Sequence, residues 1–266
     1  MRSMPKNTHS FSALIRAFLS VFLIVFLASC VSSGGNPKQI TKVKKSRSDR
    51  AMVHTKLAQG YLRQEQYATA KQQLERALSI DPDHSDSNYV MALLMLKLEQ
   101  NREAERHFAR AVKTDPENSA AAHDFGVFLC QIGKEREAVS YFEIAVANPL
   151  FDKAQLSYMR AGECLLKVKD RAAEQYLKKA LSLNPRLRPA LYQLAKLKFE
   201  EQSYMSARAY IERYFAITNP QPGSLLLAYK IESALDARDV AERYRSKLLV
   251  DFPGSKEASS VRQSRD

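Results

Sequence analysis

From about residue 51 onward, apolar side chains recur three and four positions apart and polar ones fill the intervals. Leu57, Tyr61 and Leu62 make one such stripe, and Leu74, Ala77, Leu78 and Ile80 make the next. That period predicts amphipathic helices, each with a face that a neighbour must bury. No segment alternates apolar and polar residues as a half-buried strand does, so the predicted class is all-α. The helices also repeat. Small residues stand at Ala58, Ala92, Gly126, Ala161 and Ala195, spaced 34, 34, 35 and 34 apart. A second series runs Ala70, Ala104, Ala138, Ala173, Ala207 and Ala241, and a third Ala77, Ala111, Ala145 and Ala180. Three series in one phase predict an array of like units, each packed mainly on its neighbours.

A proline closes most units, at Pro82, Pro116, Pro149, Pro185 and Pro253. It cannot continue a helix, and it biases the residue before it away from helix. Small positions 12 and then 7 apart, followed by proline, resemble the tetratricopeptide repeat, a helix pair whose small residues sit where two backbones would otherwise collide. The resemblance implies a right-handed superhelical solenoid of six such pairs, over about 51–84, 85–118, 119–151, 152–187, 188–221 and 222–255. Unit five has Tyr214 at its third small position, and unit six has Tyr229 at its first. Atypical terminal repeats are expected where the stack is capped. Residues 256–266 are polar and read as a frayed tail.

The N-terminus has a different pattern. Arg2, Lys6 and Arg16 precede an uncharged run from Ala17 to Ala28, which is the layout of an export signal. A dozen apolar residues fall short of the roughly 20 that span a bilayer as a helix, so residues 1–29 are expected to be removed. Leu27-Ala28-Ser29-Cys30 resembles the lipobox of bacterial lipoproteins, which implies acylation of Cys30, the one covalent group expected here beyond an otherwise cofactor-free chain. Val31 and Ser32 follow, without the aspartate that retains such proteins in the inner membrane, so the resemblance implies an outer-membrane address on the periplasmic face. Residues 30–50 are rich in Ser, Gly, Lys and Asn and read as a flexible tether with a reach of roughly 25 Å.

Of the formal charge of +12, much is carried by that tether, where Lys38, Lys42, Lys44, Lys45, Arg47 and Arg50 face Asp49 alone. Simple solvation accounts for this, as does attraction to anionic head groups. An exported chain whose excess lies in a tether excludes nucleic acid as partner. Catalysis is likewise not expected. The five histidines show no His-Glu-x-x-His pattern, and the chain has neither a Gly-rich phosphate loop nor a Gly-x-Ser-x-Gly elbow, so neither metal nor nucleophile is expected.

Two features stand out from the repeat. Cys130 and Cys164 remain once Cys30 is acylated, and they fall near the ends of the first helices of units three and four. In an oxidising periplasm they can close a disulfide; the alternative is two buried thiols. The second feature is a ladder at the fifth position of each unit: Thr55, Tyr89, His123, Tyr158 and Tyr192. In tetratricopeptide folds this position lines the concave face. With Met52 and Gln59 of unit one, and Leu93, Leu96 and Val127 beside the ladder, it outlines a groove for a partner, centred on units one and two. The alternative is that several of these side chains belong to the core between helices.

Asn148-Pro149-Leu150-Phe151, Tyr158-Met159-Arg160-Ala161-Gly162-Glu163-Cys164, Ala207-Arg208-Ala209-Tyr210 and Phe252-Pro253-Gly254-Ser255 resemble segments of one family. With the lipobox and the six repeats, they make the chain similar to the type IV pilus biogenesis and stability lipoproteins, the PilF/PilW-type pilotins. That resemblance implies a non-enzymatic binding protein whose partner is the pilus secretin and which helps the secretin reach and assemble in the outer membrane. Scaffolding of peptidoglycan enzymes, or of outer-membrane protein assembly, is the alternative for the same architecture.

Overall fold

The computed structural model of the chain describes residues 37–263. The export signal, Cys30 and the start of the tether lie outside the described residues. By contact the chain divides into residues 1–49 and residues 50–266, and the repeats occupy the second part.

Thirteen helices are present among the described residues, with no strand. Helix α1 (Pro37–Arg63) pairs with α2 (Tyr67–Ile80), α3 (Ser85–Lys97) with α4 (Asn101–Thr114), and α5 (Ser119–Gln131) with α6 (Glu135–Ala147). Then come α7 (Ala154–Lys167) with α8 (Ala173–Leu183), α9 (Arg188–Glu200) with α10 (Tyr204–Phe215), α11 (Pro222–Ala234) with α12 (Arg238–Asp251), and a final α13 (Lys256–Gln263). From the second pair on, partners pack on each other and each second helix meets the next first helix, giving an all-α solenoid.

The small residues do what their phase predicts. Ala58, Ala92, Ala161 and Ala195, and the second and third alanine series, are almost fully buried. Close approach is most demanding at two glycines. A β-carbon on Gly126 would lie 2.9 Å from the Phe142 ring, and one on Gly162 would lie 2.7 Å from Leu177 Cγ. Opposite the small residues runs a core series of large ones: Leu74, Phe108, Phe142, Leu177 and Ile211, each at most 1% exposed. Burying side chains of this size stabilises by about 1.5–3 kcal/mol apiece. In unit six that position holds Arg245 instead. Unit six also meets the small-residue requirement with Ala228, fully buried one place before Tyr229.

Every turn inside a pair passes through one left-handed residue: Glu65, Glu99, Gly133, Lys169, Gln202 and Asp236, with φ between 53° and 83°. Only unit three uses glycine there, the residue for which that conformation carries no steric cost.

Two expectations are corrected. The stretch expected as a flexible tether is helical from Pro37 onward. Proline is well suited to a first helical position, and Lys, Gln and Arg are good helix formers, so helix forms without an amphipathic stripe. Among residues 41–47 the described side chains are exposed, which is why no stripe marks it. The expected frayed tail is in fact α13 up to Gln263. Ser255 Oγ accepts from the Ala258 amide at 3.1 Å to start it. Ala258 and Val261 pack with Leu225 and Leu248, covering the open end of unit six. The Arg245 guanidinium donates to the Val261 carbonyl from both Nε and Nη2 at 3.3–3.4 Å, satisfying a carbonyl at the end of that helix.

Candidate binding groove

The first helix of unit two is held firmly. His84 caps α3 by accepting from the Ser87 amide at 3.1 Å, and Asn88 donates to the carbonyls of Pro82 and His84 at 3.0 Å. On this rigid base Leu93 and Leu96 stand half-buried toward unit one. With Leu62 and Arg63 at the end of α1, Tyr67 at the start of α2, and Lys97, they line an apolar recess of about 490 Å³. Its size falls within the range of ordinary ligand pockets, and its walls are hydrocarbon rimmed by two cations.

The ladder has another job. Thr55 is 1% exposed; its hydroxyl donates to the Ala51 carbonyl at 2.9 Å and shares a 2.6 Å hydrogen bond with Ser87 across the repeat boundary. It is core, and its assignment to an accessible groove is corrected: a short β-branched hydroxyl fits between two helices where a large side chain would not. Tyr89 donates to Asp124 at 2.6 Å, joining units two and three, and its ring lies against Phe108. Burial and the neighbouring carboxylate hold its phenol well above the ordinary range. His123 Nδ1 lies 2.7 Å from Ser157 Oγ, joining units three and four, with its ring edge-on to Phe142. Burial keeps its imidazole below the usual value. Tyr158 neighbours Tyr176 with the Lys179 ammonium over both rings, and Tyr192 neighbours Tyr214. From Thr55 to His123, position five therefore bonds each repeat to the next; Tyr158 and Tyr192 pack against rings.

Of the residues expected to line the groove, the structure brings Leu93 and Leu96 together. Met52 and Gln59 are half-buried, and neither lines the recess among its described walls. Val127 belongs to a second, smaller recess of about 170 Å³ with Arg160 and Glu163. Its wall includes Cys130 and Cys164, which are joined by a disulfide across α5 and α7, Cα to Cα 5.8 Å. Lys167 donates to the Cys130 carbonyl at 2.9 Å beside the bridge. Four lining residues escaped the sequence reading: Leu62, Arg63, Tyr67 and Lys97. Leu62 and Leu96 share one repeat position, as do Arg63 and Lys97, which was the available signal. Among the described residues no group of His, Cys, Asp and Glu is placed to hold a metal ion, and no helix is long and apolar enough to cross a membrane.

Comparison with known proteins fits this architecture. The tetratricopeptide repeat family profile matches residues 61–125. The type IV pilus assembly protein PilF of Pseudomonas aeruginosa is 29% identical over 245 residues, covering 91% of this chain and 96% of that protein. The crystal structure of PilW, a widely conserved type IV pilus biogenesis factor, superposes with a TM-score of 0.64 at 30% identity, over 79% of this chain and 97% of PilW. The solved P. aeruginosa PilF gives 0.67 at 25% identity, over 82% of this chain and 99% of its own. The chain is a member of the tetratricopeptide-repeat family of type IV pilus biogenesis proteins to which PilF and PilW belong.

Proposed function

We propose that this protein is the pilotin of a type IV pilus secretin. Anchored through lipid on Cys30 to the periplasmic face of the outer membrane, it holds secretin subunits there while they assemble into multimers. The observation that carries this reading is the apolar recess between units one and two, in a protein of a pilus-biogenesis family built from tetratricopeptide repeats, a fold that mediates protein–protein interaction. An apolar recess left open to water fits a partner that brings apolar side chains of its own. The export signal and the Leu27-Ala28-Ser29-Cys30 motif supply the address, and acylation with more than one chain makes anchoring stable.

The test is retention of the secretin from an envelope extract by the immobilised protein. Retention by the parent, lost on Leu93→Ser/Leu96→Ser with helical content unchanged, supports the reading. Retention of peptidoglycan hydrolases instead, with no secretin, overturns it.

A further inference from the structure

The cations on the first helices are not all alike. Lys167 is spent on the Cys130 carbonyl, and Arg160 is paired with Glu163 at 2.9 Å. In the turn after α5, Lys134 is paired with Glu105. Arg63 and Lys97 have no such partner: among the described residues neither makes an ion pair or a side-chain hydrogen bond. Both are exposed, and both stand on the wall of the same apolar recess, at the same position of consecutive repeats. Glu65 and Glu99, the nearest acids in sequence, sit in the left-handed turn residues that follow and are not among the described lining residues. The recess therefore combines an apolar floor of Leu62, Leu93 and Leu96 with two uncompensated positive charges one repeat apart.

We propose that this recess selects an acidic, apolar-faced peptide segment: leucine- or phenylalanine-type side chains fill the floor while carboxylates on the same segment meet Arg63 and Lys97. This rests on the function proposed above and names the chemistry of the secretin segment it would hold. The two parts act differently. Burial of the apolar side chains supplies most of the affinity, whereas exposed charges mainly steer the encounter and reject wrong partners. A basic or neutral segment would bury the same hydrocarbon yet leave the cations unmatched or repelled. Two cations on the first helices of consecutive repeats also favour a segment whose carboxylates match their spacing.

The experiment uses the full-length protein in mild detergent and a random 12-residue peptide phage library, a probe independent of any secretin. Peptides selected on the parent should be enriched in Leu, Phe or Met together with Asp or Glu. A synthetic peptide of that consensus should bind at least fivefold more tightly than its Glu→Gln counterpart, and its affinity should fall as salt rises. Arg63→Glu/Lys97→Glu should weaken it at least tenfold, and Leu93→Ser should weaken it too. Arg63→Gln/Lys97→Gln, which only neutralises exposed side chains, should erase the preference for acid even if the charge reversal disturbs folding. A consensus without acidic residues, or an acid preference unchanged in the Gln pair, overturns the proposal. The two readings fail separately. A secretin retained equally by parent and Gln pair removes this inference alone. Acidic peptides that depend on Arg63 and Lys97, with no secretin retained, remove the secretin reading alone.

Discussion

Replacing Gly162 by alanine should destabilise the protein, although the same change in a helix interior is ordinarily favourable. Helix propensity alone gives alanine an advantage of about 1 kcal/mol over glycine. At Gly162 the added β-carbon would lie 2.7 Å from Leu177 Cγ, 2.9 Å from Leu177 Cδ2 and 3.1 Å from the Ala173 carbonyl oxygen. Leu177 is fully buried and the Ala173 carbonyl is backbone, so the added atom crowds groups that cannot swing out into solvent. Overpacking of a tight core costs about 1–3 kcal/mol, so after the propensity gain the net effect is a loss of up to about 2 kcal/mol. For a folded body of this size that lowers Tm by up to about 8 °C. Gly60 is the internal control: it too lies inside a helix, with nothing within 4 Å of the position of its β-carbon. Gly60→Ala should raise stability by up to about 1 kcal/mol. Leu177→Ala should cost less in the Gly162→Ala background than alone, because the removed atoms are the ones in conflict. Thermal and urea melts followed by circular dichroism read all three. Equal stabilisation by Gly162→Ala and Gly60→Ala would refute the close-approach reasoning.

Three further outcomes are expected. Gln202→Gly should stabilise by about 1 kcal/mol, because a left-handed residue with a β-carbon is strained, and Gly133→Ala should destabilise by a similar amount; urea midpoints decide both. Cys130 and Cys164 should titrate as no free thiol in unreduced, unfolded protein, and reduction should cost about 3–4 kcal/mol for a loop of this length in the chain-entropy picture; two reactive thiols would refute the bridge. Burial lowers the imidazole pKa of both His107 and His123 in the fold, so below the ordinary imidazole range unfolding takes up protons. Their contribution is complete above the ordinary imidazole value of about 6.5 and is lost as pH falls through it toward the folded value. The loss between pH 7.5 and pH 5 should be smaller in His123→Asn, and an identical pH dependence would refute the assignment.

The helix pairs could be read from the sequence because their signals are local: small residues in phase, prolines at unit ends, stripes at helical spacing. Two elements could not. Residues 37–50 form the first part of α1, and their described side chains are mostly exposed, so no stripe announces it. In α13 only Ala258 and Val261 are buried, too few residues to outweigh a polar composition. At the site, Leu93 and Leu96 were legible as apolar residues on a first helix with more hydrocarbon than a solvated face needs. Thr55 falls outside the groove because at this repeat boundary position five carries a short hydroxyl that bonds across to Ser87 of the neighbouring first helix, a pairing that spacing alone does not reveal. Tyr67 was missed because it opens a second helix, and the recess lies where the end of one helix, the start of its partner and the neighbouring first helix converge. Tyr89 shows the same limit: its donation to Asp124 makes it a link between repeats and not a wall of the recess, so a serine there would loosen the stack.

The most direct measurement of the proposed role is the membrane location of the pilus secretin in cells that carry the parent protein, Cys30→Ala or Leu93→Ser/Leu96→Ser. Membranes are separated by density, and secretin multimers are quantified in each fraction. Multimers are expected in the outer-membrane fraction with the parent, to be lost from that fraction with Cys30→Ala, and to be lost with the groove variant even though that variant itself still fractionates with the outer membrane. Secretin multimers at parental level in the outer membrane of both variants would contradict the proposed role.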